Sequence, residues 1–183
     1  MNIQPTNKSL NKIIDELIIL FRKKEFYFLI EKAKEKIKEF PESFELYNLI
    51  GITFAEIKNI KQSIKYYKKA LKKIPNTPLI MLPLCCLLLE DSKNLKDIKQ
   101  ANNYLKFIVQ KEPENIFAWH LKGISHSRLG EPIFANLSAA EEFFRRRDFK
   151  NAKFFAEKVV SATKKFSSEN LRASDIINLI NDS

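Results

Sequence analysis

Cysteine, glycine, histidine and arginine are all scarce in this sequence. Only two cysteines occur, Cys85 and Cys86, and they are adjacent. Neighbouring cysteines build no disulfide framework, so a reducing compartment is the expected setting. Three glycines argue against a fold rich in tight turns and against a glycine-rich loop that cradles phosphate. The longest apolar run, Leu79 to Leu89, is eleven residues and contains Pro83. A bilayer span needs about 20 residues, so this run reads as a buried helix. Residues Met1 to Leu10 show no apolar stretch ahead of a small-residue cleavage site. The expected location is cytoplasmic.

What is present is a chain of one domain's length, 183 residues and 45% apolar, enough for a sizeable core. Its net charge of +10 points either to an anionic partner, such as nucleic acid or a membrane surface, or to codon bias. Lysine outnumbers arginine 26 to 6, isoleucine outnumbers valine 22 to 3, and there are 15 asparagines. All three biases follow from A- and T-rich codons. Phosphate-gripping surfaces usually draw on the bidentate fork of arginine, so solvated lysine faces are the favoured reading.

Comparing the sequence with itself is more informative. At an offset of 34 residues, Ser9 falls on Ser43, Ile13 on Tyr47, Leu20 on Phe54, Phe26 on Ile60, Ile37 on Leu71 and Pro41 on Pro75. Each unit reads as two amphipathic helices, with apolar residues three and four apart. In the second unit, the first helix starts after the capping Ser43 and carries Tyr47, Ile50, Gly51 and Phe54. The second helix carries Ser63, Tyr67, Ala70 and Leu71, and Pro75 punctuates its end.

Those residues, in that order, resemble the tetratricopeptide repeat (TPR). The resemblance implies an all-α, right-handed superhelical solenoid of antiparallel helix pairs, with Gly51 and Ala70 at the close approach of the two helices. The expected organisation is a single domain, 1–183, with units at about 9–42, 43–76 and 77–114. The third has helices at about 78–90 and 97–111, with four residues inserted in the polar Asp91–Asp97 stretch. Trp119, Gly123 and Gly130 open a further unit at 115–131, where Gly123, like Gly51, is expected at a close helix–helix contact. After it the period breaks, and one helix, 132–147, serves two units before 148–166. A capping helix over about 168–181 closes the stack, within a cap segment 167–183.

A second resemblance covers about a third of the chain. Trp119-His-Leu-Lys-Gly, Ala140-Glu-Glu-Phe-Phe, Arg147-Asp-Phe-Lys-Asn-Ala152 and Leu171-Arg-Ala-Ser-Asp175-Ile look like the C-terminal TPR region of bacterial envelope zinc peptidases. The His-Glu-x-x-His helix of those enzymes is absent from the sequence, so the resemblance implies a TPR appendage without the peptidase domain.

Chemistry-bearing clusters are few. His120 and His126, six apart on one expected helix, are separated by about 240° of rotation and cannot share a metal. His126 occupies a slot for a packing aromatic, and a core histidine is expected. Cys85 and Cys86 read as small apolar residues. Glu141 and Glu142 are adjacent on a helix and point apart. The sequence is therefore expected to be non-catalytic, with no cofactor and no metal. Lys65, Lys68, Lys69, Lys72 and Lys73 form a solvated outer face. Arg145, Arg146 and Arg147 close a helix, where cations complement the macrodipole.

The resemblance also implies where a partner would lie, on the concave surface of the first helices. These positions are Ile14, Ile18 and Phe21; Asn48, Ile52 and Ala55; Leu82, Cys86 and Leu89; His120, Ile124 and Ser127; then Leu137, Glu141 and Phe144. With Asn48 but no lysine, this groove is no carboxylate clamp; it is apolar. The expectation is an adaptor or scaffold that takes an apolar peptide, an amphipathic helix or another copy of itself. The alternatives are a basic protein that associates with RNA or anionic membrane, and an accessory module of a separately encoded enzyme.

Overall fold

The computed structural model describes residues 7–90 and 94–182. Ten helices and no strands occupy them: α1 (Asn7–Arg22), α2 (Phe26–Glu39), α3 (Phe44–Glu56), α4 (Ile60–Lys73), α5 (Pro78–Glu90), α6 (Leu95–Lys111), α7 (Ile116–Arg128), α8 (Pro132–Arg145), α9 (Phe149–Ala162) and α10 (Ser168–Asn181). The all-α class holds. The expected insertion at Asp91–Asp97 begins outside the described residues, as does most of the Met1–Leu10 segment read for a leader. The chain divides into two compact units, one up to Leu84 and the other from Cys85.

In the first unit, α1 packs on α2, α2 on α3, and α3 on α4. Its core joins Leu17, Leu29, Ile30, Leu46, Ile50, Phe54 and Tyr66, with Ala33 between them. Gly51 lies where α3 and α4 approach. A Cβ built there would stand 3.2 Å from the Tyr67 ring and 3.3 Å from its backbone nitrogen. Ser63 closes the same contact by donating from Oγ to the Gly51 carbonyl at 2.7 Å.

In the second unit, α6 packs on α7, and α8 lies against α7, α9 and α10. The core of its C-terminal part is made of small residues, Ala140, Ala152, Ala156, Val159 and Ala173, with Ile176. Gly123 is less constrained than expected, since its added Cβ would meet nothing closer than 3.7 Å. The capping helix α10 begins after Ser167, whose Oγ accepts from the Asn170 amide.

Four turns share one hydrogen-bond pattern, a Schellman motif. Glu25, Asn59, Glu131 and Asp148 each donate a backbone N–H to the carbonyl five residues back, while the preceding residue donates three residues back. That preceding residue must be left-handed. It is Gly130 in one turn, but Lys24, Lys58 and Arg147, with φ of 58–60°, in the others. The turns are thus as tight as glycine would make them, and the scarcity of glycine does not exclude them. Three of the asparagines attributed to codon bias, Asn59, Asn94 and Asn115, cap helices by accepting from backbone amides. Equivalent aromatics also repeat a role: Tyr47 Oη donates to the Pro41 carbonyl at 3.3 Å, and Trp119 Nε1 to the Pro113 carbonyl at 2.7 Å.

Candidate functional site

The second unit contains an open cleft of about 450 Å³ between α7, α8 and α9. On α7 its wall is His120, Gly123, Ile124 and Ser127, and on α8 it is Asn136, Ala139, Glu142 and Phe143. Both sets run at three- and four-residue spacing, which places them on one face of each helix. Gly123 and Ala139 contribute almost no side chain, and this leaves the space open. At one end Phe143 lies parallel to Phe155 of α9, with ring centroids 5.5 Å apart. The polar lining of the cleft is Ser127, Arg128 and Asn136, together with a chain of groups that starts at His120. His120 Nδ1 lies 3.0 Å from Glu142 Oε2, and Arg146 Nη2 donates to Glu142 Oε1 at 2.9 Å. The cleft therefore offers an apolar wall for a side chain beside a buried, partnered carboxylate.

Glu141, the neighbour of Glu142, points elsewhere, as adjacent helical residues must. Its side chain is 4% exposed and is gripped by two guanidiniums. Arg172 of α10 binds it through two bonds, Nε to Oε1 at 2.5 Å and Nη2 to Oε2 at 2.9 Å. Arg145 Nη1 reaches Oε2 at 2.5 Å. Burial alone would raise the Glu141 carboxyl, but the bonds from Arg172 and Arg145 outweigh it and hold the group below the ordinary carboxylate value. Arg145 also donates to the Pro113 carbonyl and lies 5.0 Å over the Trp119 ring. It is a buried strut between α8 and the α6–α7 turn, which corrects the expectation that it merely complements a helix end. Glu141 likewise belongs to a structural clamp and is no groove residue.

The other expected groove positions are distributed as follows. In the first unit, Ile14, Ile18, Phe21, Asn48, Ile52, Ala55 and Leu82 are all half-buried. Ile14 and Phe21 rest against the core, and Asn48 Oδ1 is buried with no hydrogen-bond partner. In the second unit, Cys86 is half-buried, but Leu89 is only 2% exposed and is a core residue. Its carbonyl accepts from Arg128. His120 and Ile124 line the cleft, whereas Leu137 and Phe144 pack against the alanine-rich core. On α8 the cleft takes Asn136, Ala139, Glu142 and Phe143, and Phe143 packs against the alanine-rich core as well.

His126 is the core histidine that its slot implied, stacked on Phe134 with ring centroids 5.3 Å apart. Cys85 is buried, and burial pushes its thiol up, away from reactivity. On α4, Lys69 lies over the rings of Tyr47 and Tyr66, and Lys73 bonds to Glu42 at 2.6 Å. That lysine face is partly used within its own unit. Among the described residues no group of three or more His, Cys, Asp or Glu could hold a metal ion, and no helix is long and apolar enough to cross a membrane.

Residues 44–77 match the tetratricopeptide repeat family model. No curated protein is a significant match to the sequence. Among solved structures, the chain is similar to a double mutant of MamA RS-1, with a TM-score of 0.69 at 14% identity over 94% of this chain and 92% of that one. MamA 41-end from Desulfovibrio magneticus RS-1 gives 0.68 at 15% identity over 94% and 93%. YrrB, described as a TPR protein with an unusual peptide-binding site, gives 0.66 at 16% identity over 93% and 84%. At these identities the likeness establishes the fold: this is the all-α fold of tetratricopeptide-repeat proteins, and residues 44–77 carry the repeat itself.

Proposed function

We propose that this chain is a protein-interaction scaffold that holds an apolar peptide segment or the apolar face of a helix. The observation that carries this reading is the α7–α8–α9 cleft. It pairs an apolar wall, Ile124, Ala139, Phe143 and Phe155, with the His120–Glu142 couple at its edge. Burying one large side chain there contributes about 1.5–3 kcal/mol. A few such anchors reach micromolar affinity after the cost of association. YrrB, which shares the fold, is itself described as having a peptide-binding site. In the first unit, the half-buried strip of Ile18, Ile52 and Ala55 supplies a separate apolar surface of the same character.

The test is capture of partners from native lysate by the wild-type chain and by Ala139→Arg, which fills the cleft with a cationic side chain. The expected outcome is a drop of at least about tenfold in recovery of the main co-purifying protein, equivalent to about 1.4 kcal/mol, with helical circular dichroism retained. Ile52→Glu reports whether the first-unit surface contributes. Full recovery by a folded Ala139→Arg chain rejects the cleft as the binding site.

A further inference from the structure

We propose that the second unit has another binding site, on the opposite side of α7, which takes a small organic monocarboxylate. Lys122 and His126 lie two residues beyond His120 and Ile124, about 200° around the helix, and so face away from the cleft just described. There they join Asn102, Asn103 and Lys106 of α6, together with Glu131 and Phe134, around a separate cavity of about 360 Å³. That volume falls in the range of small-ligand sites.

The polar groups of this cavity are out of balance among themselves. Lys122 and Lys106 both line it, and among the described residues neither forms an ion pair with a carboxylate. The Lys122 ammonium lies 5.1 Å over the Trp119 ring. Burial lowers its pKa, Glu141 works in the opposite direction, and Lys106 lowers it further. Ser125 Oγ lies 3.0 Å from Asn102 Oδ1 and 2.8 Å from the Lys122 carbonyl, and its single proton serves one of them, so Asn102 keeps at least one amide N–H as a donor. The acidic group, Glu131, is engaged by His126 Nδ1 at 2.6 Å. Burial lowers the His126 pKa below the usual imidazole value, and the bond to Glu131 works in the opposite direction.

Two lysines and one glutamate leave a single net positive charge, which a monoanion neutralises. A phosphate dianion would overshoot and meet the Glu131 carboxylate. The opposite wall is the stacked pair of Phe134 and His126, which suits a flat or apolar body attached to the carboxylate.

Benzoate is the probe, titrated into the full chain with the side-chain amides of Asn102 and Asn103 followed by NMR. The expected result is saturable shifts of both amides and a rise in the Lys122 pKa as the ammonium gains a partner. Lys122→Gln should weaken the affinity at least about tenfold, and the exposed Lys106→Gln, which leaves folding intact, several-fold. Inorganic phosphate binding as tightly as benzoate overturns the monocarboxylate assignment. Absent or unsaturable shifts, or affinity unchanged in Lys106→Gln, overturn the site.

Discussion

The two compact units solve the same packing problem with different materials. In the first, large side chains fill the space between helices, and the buried polar residues are Ser43, Thr53 and Ser63, together with the Asn48 Oδ1 atom. In the C-terminal part of the second, alanines dominate the core between α8, α9 and α10, while α5 to α7 bury Leu88, Leu105 and Ile108, and the unit's buried polar residues include Glu141, Glu142, His126 and Asn170. Small residues bring helices close but bury little apolar area per residue. The second unit adds to that thin core with charges that must be satisfied in place. Its geometry is therefore more specific and more sensitive to protonation.

Glu141 is where this difference is largest. Glu141→Leu leaves Arg145 and Arg172 without their shared carboxylate, and removal of one partner from a buried ion cluster costs about 3 kcal/mol. The half-exposed Arg172 keeps the figure at the lower end of the range. Trp119 is the single tryptophan and lies in the second unit, so its fluorescence reports on the surroundings of that unit. Acid should act in the same way. The folded Glu141 has a lowered pKa, so its stabilisation is complete above the unfolded carboxylate value of about 4.3 and is lost as pH falls through the folded value. Amide exchange near pH 3 should show α8 and α10 losing protection ahead of α3 and α4. Equal loss in both units contradicts the contrast.

A smaller effect with opposite signs in the two units comes from glycine. Gly51→Ala drives a methyl group against the Tyr67 ring and backbone and should destabilise the first unit by about 1–3 kcal/mol. Gly123→Ala meets only ordinary contacts and removes a mid-helix glycine, so a gain of about 0.5–1 kcal/mol is expected in the second. Urea unfolding of both variants checks this, and a destabilising Gly123→Ala breaks the distinction.

The same pair shows what was legible in the sequence. The 34-residue offset, the Ser43 and Ser167 caps and the proline punctuation are local signals, and helix bounds read from them agree with the structure to within a few residues. Gly51 sits at a close approach because its unit follows the repeat closely. Gly123 inherited the same meaning by register, but its neighbours across the contact are Ala135 and Ser138, which leave room. Half of the clamp on Glu141 has a local signal, Arg145 four residues on, but the other half does not, because Arg172 lies 31 residues away. Nor does the facing of α8, since periodicity cannot say which of two apolar faces meets which neighbour. Leu89 failed similarly: nearly every position of α5 is apolar, so its pattern does not separate groove from core.

The mildest test of the contrast concerns His126, since both histidines lie in the second unit. Burial lowers the pKa of His126, and the Glu131 bond only partly offsets this. The unfolded imidazole, near 6.5, therefore takes up its proton first as pH falls. Stability tied to this group is present above that value and declines toward the folded pKa. In His126→Phe the stack on Phe134 is kept and the titration removed, so the loss of Trp119-monitored stability between pH 7.5 and 5.5 should shrink. The exposed Glu131 stays solvated in this variant and adds no buried charge. A slope identical to wild type shows that the sensitivity of the second unit to mild acid arises elsewhere.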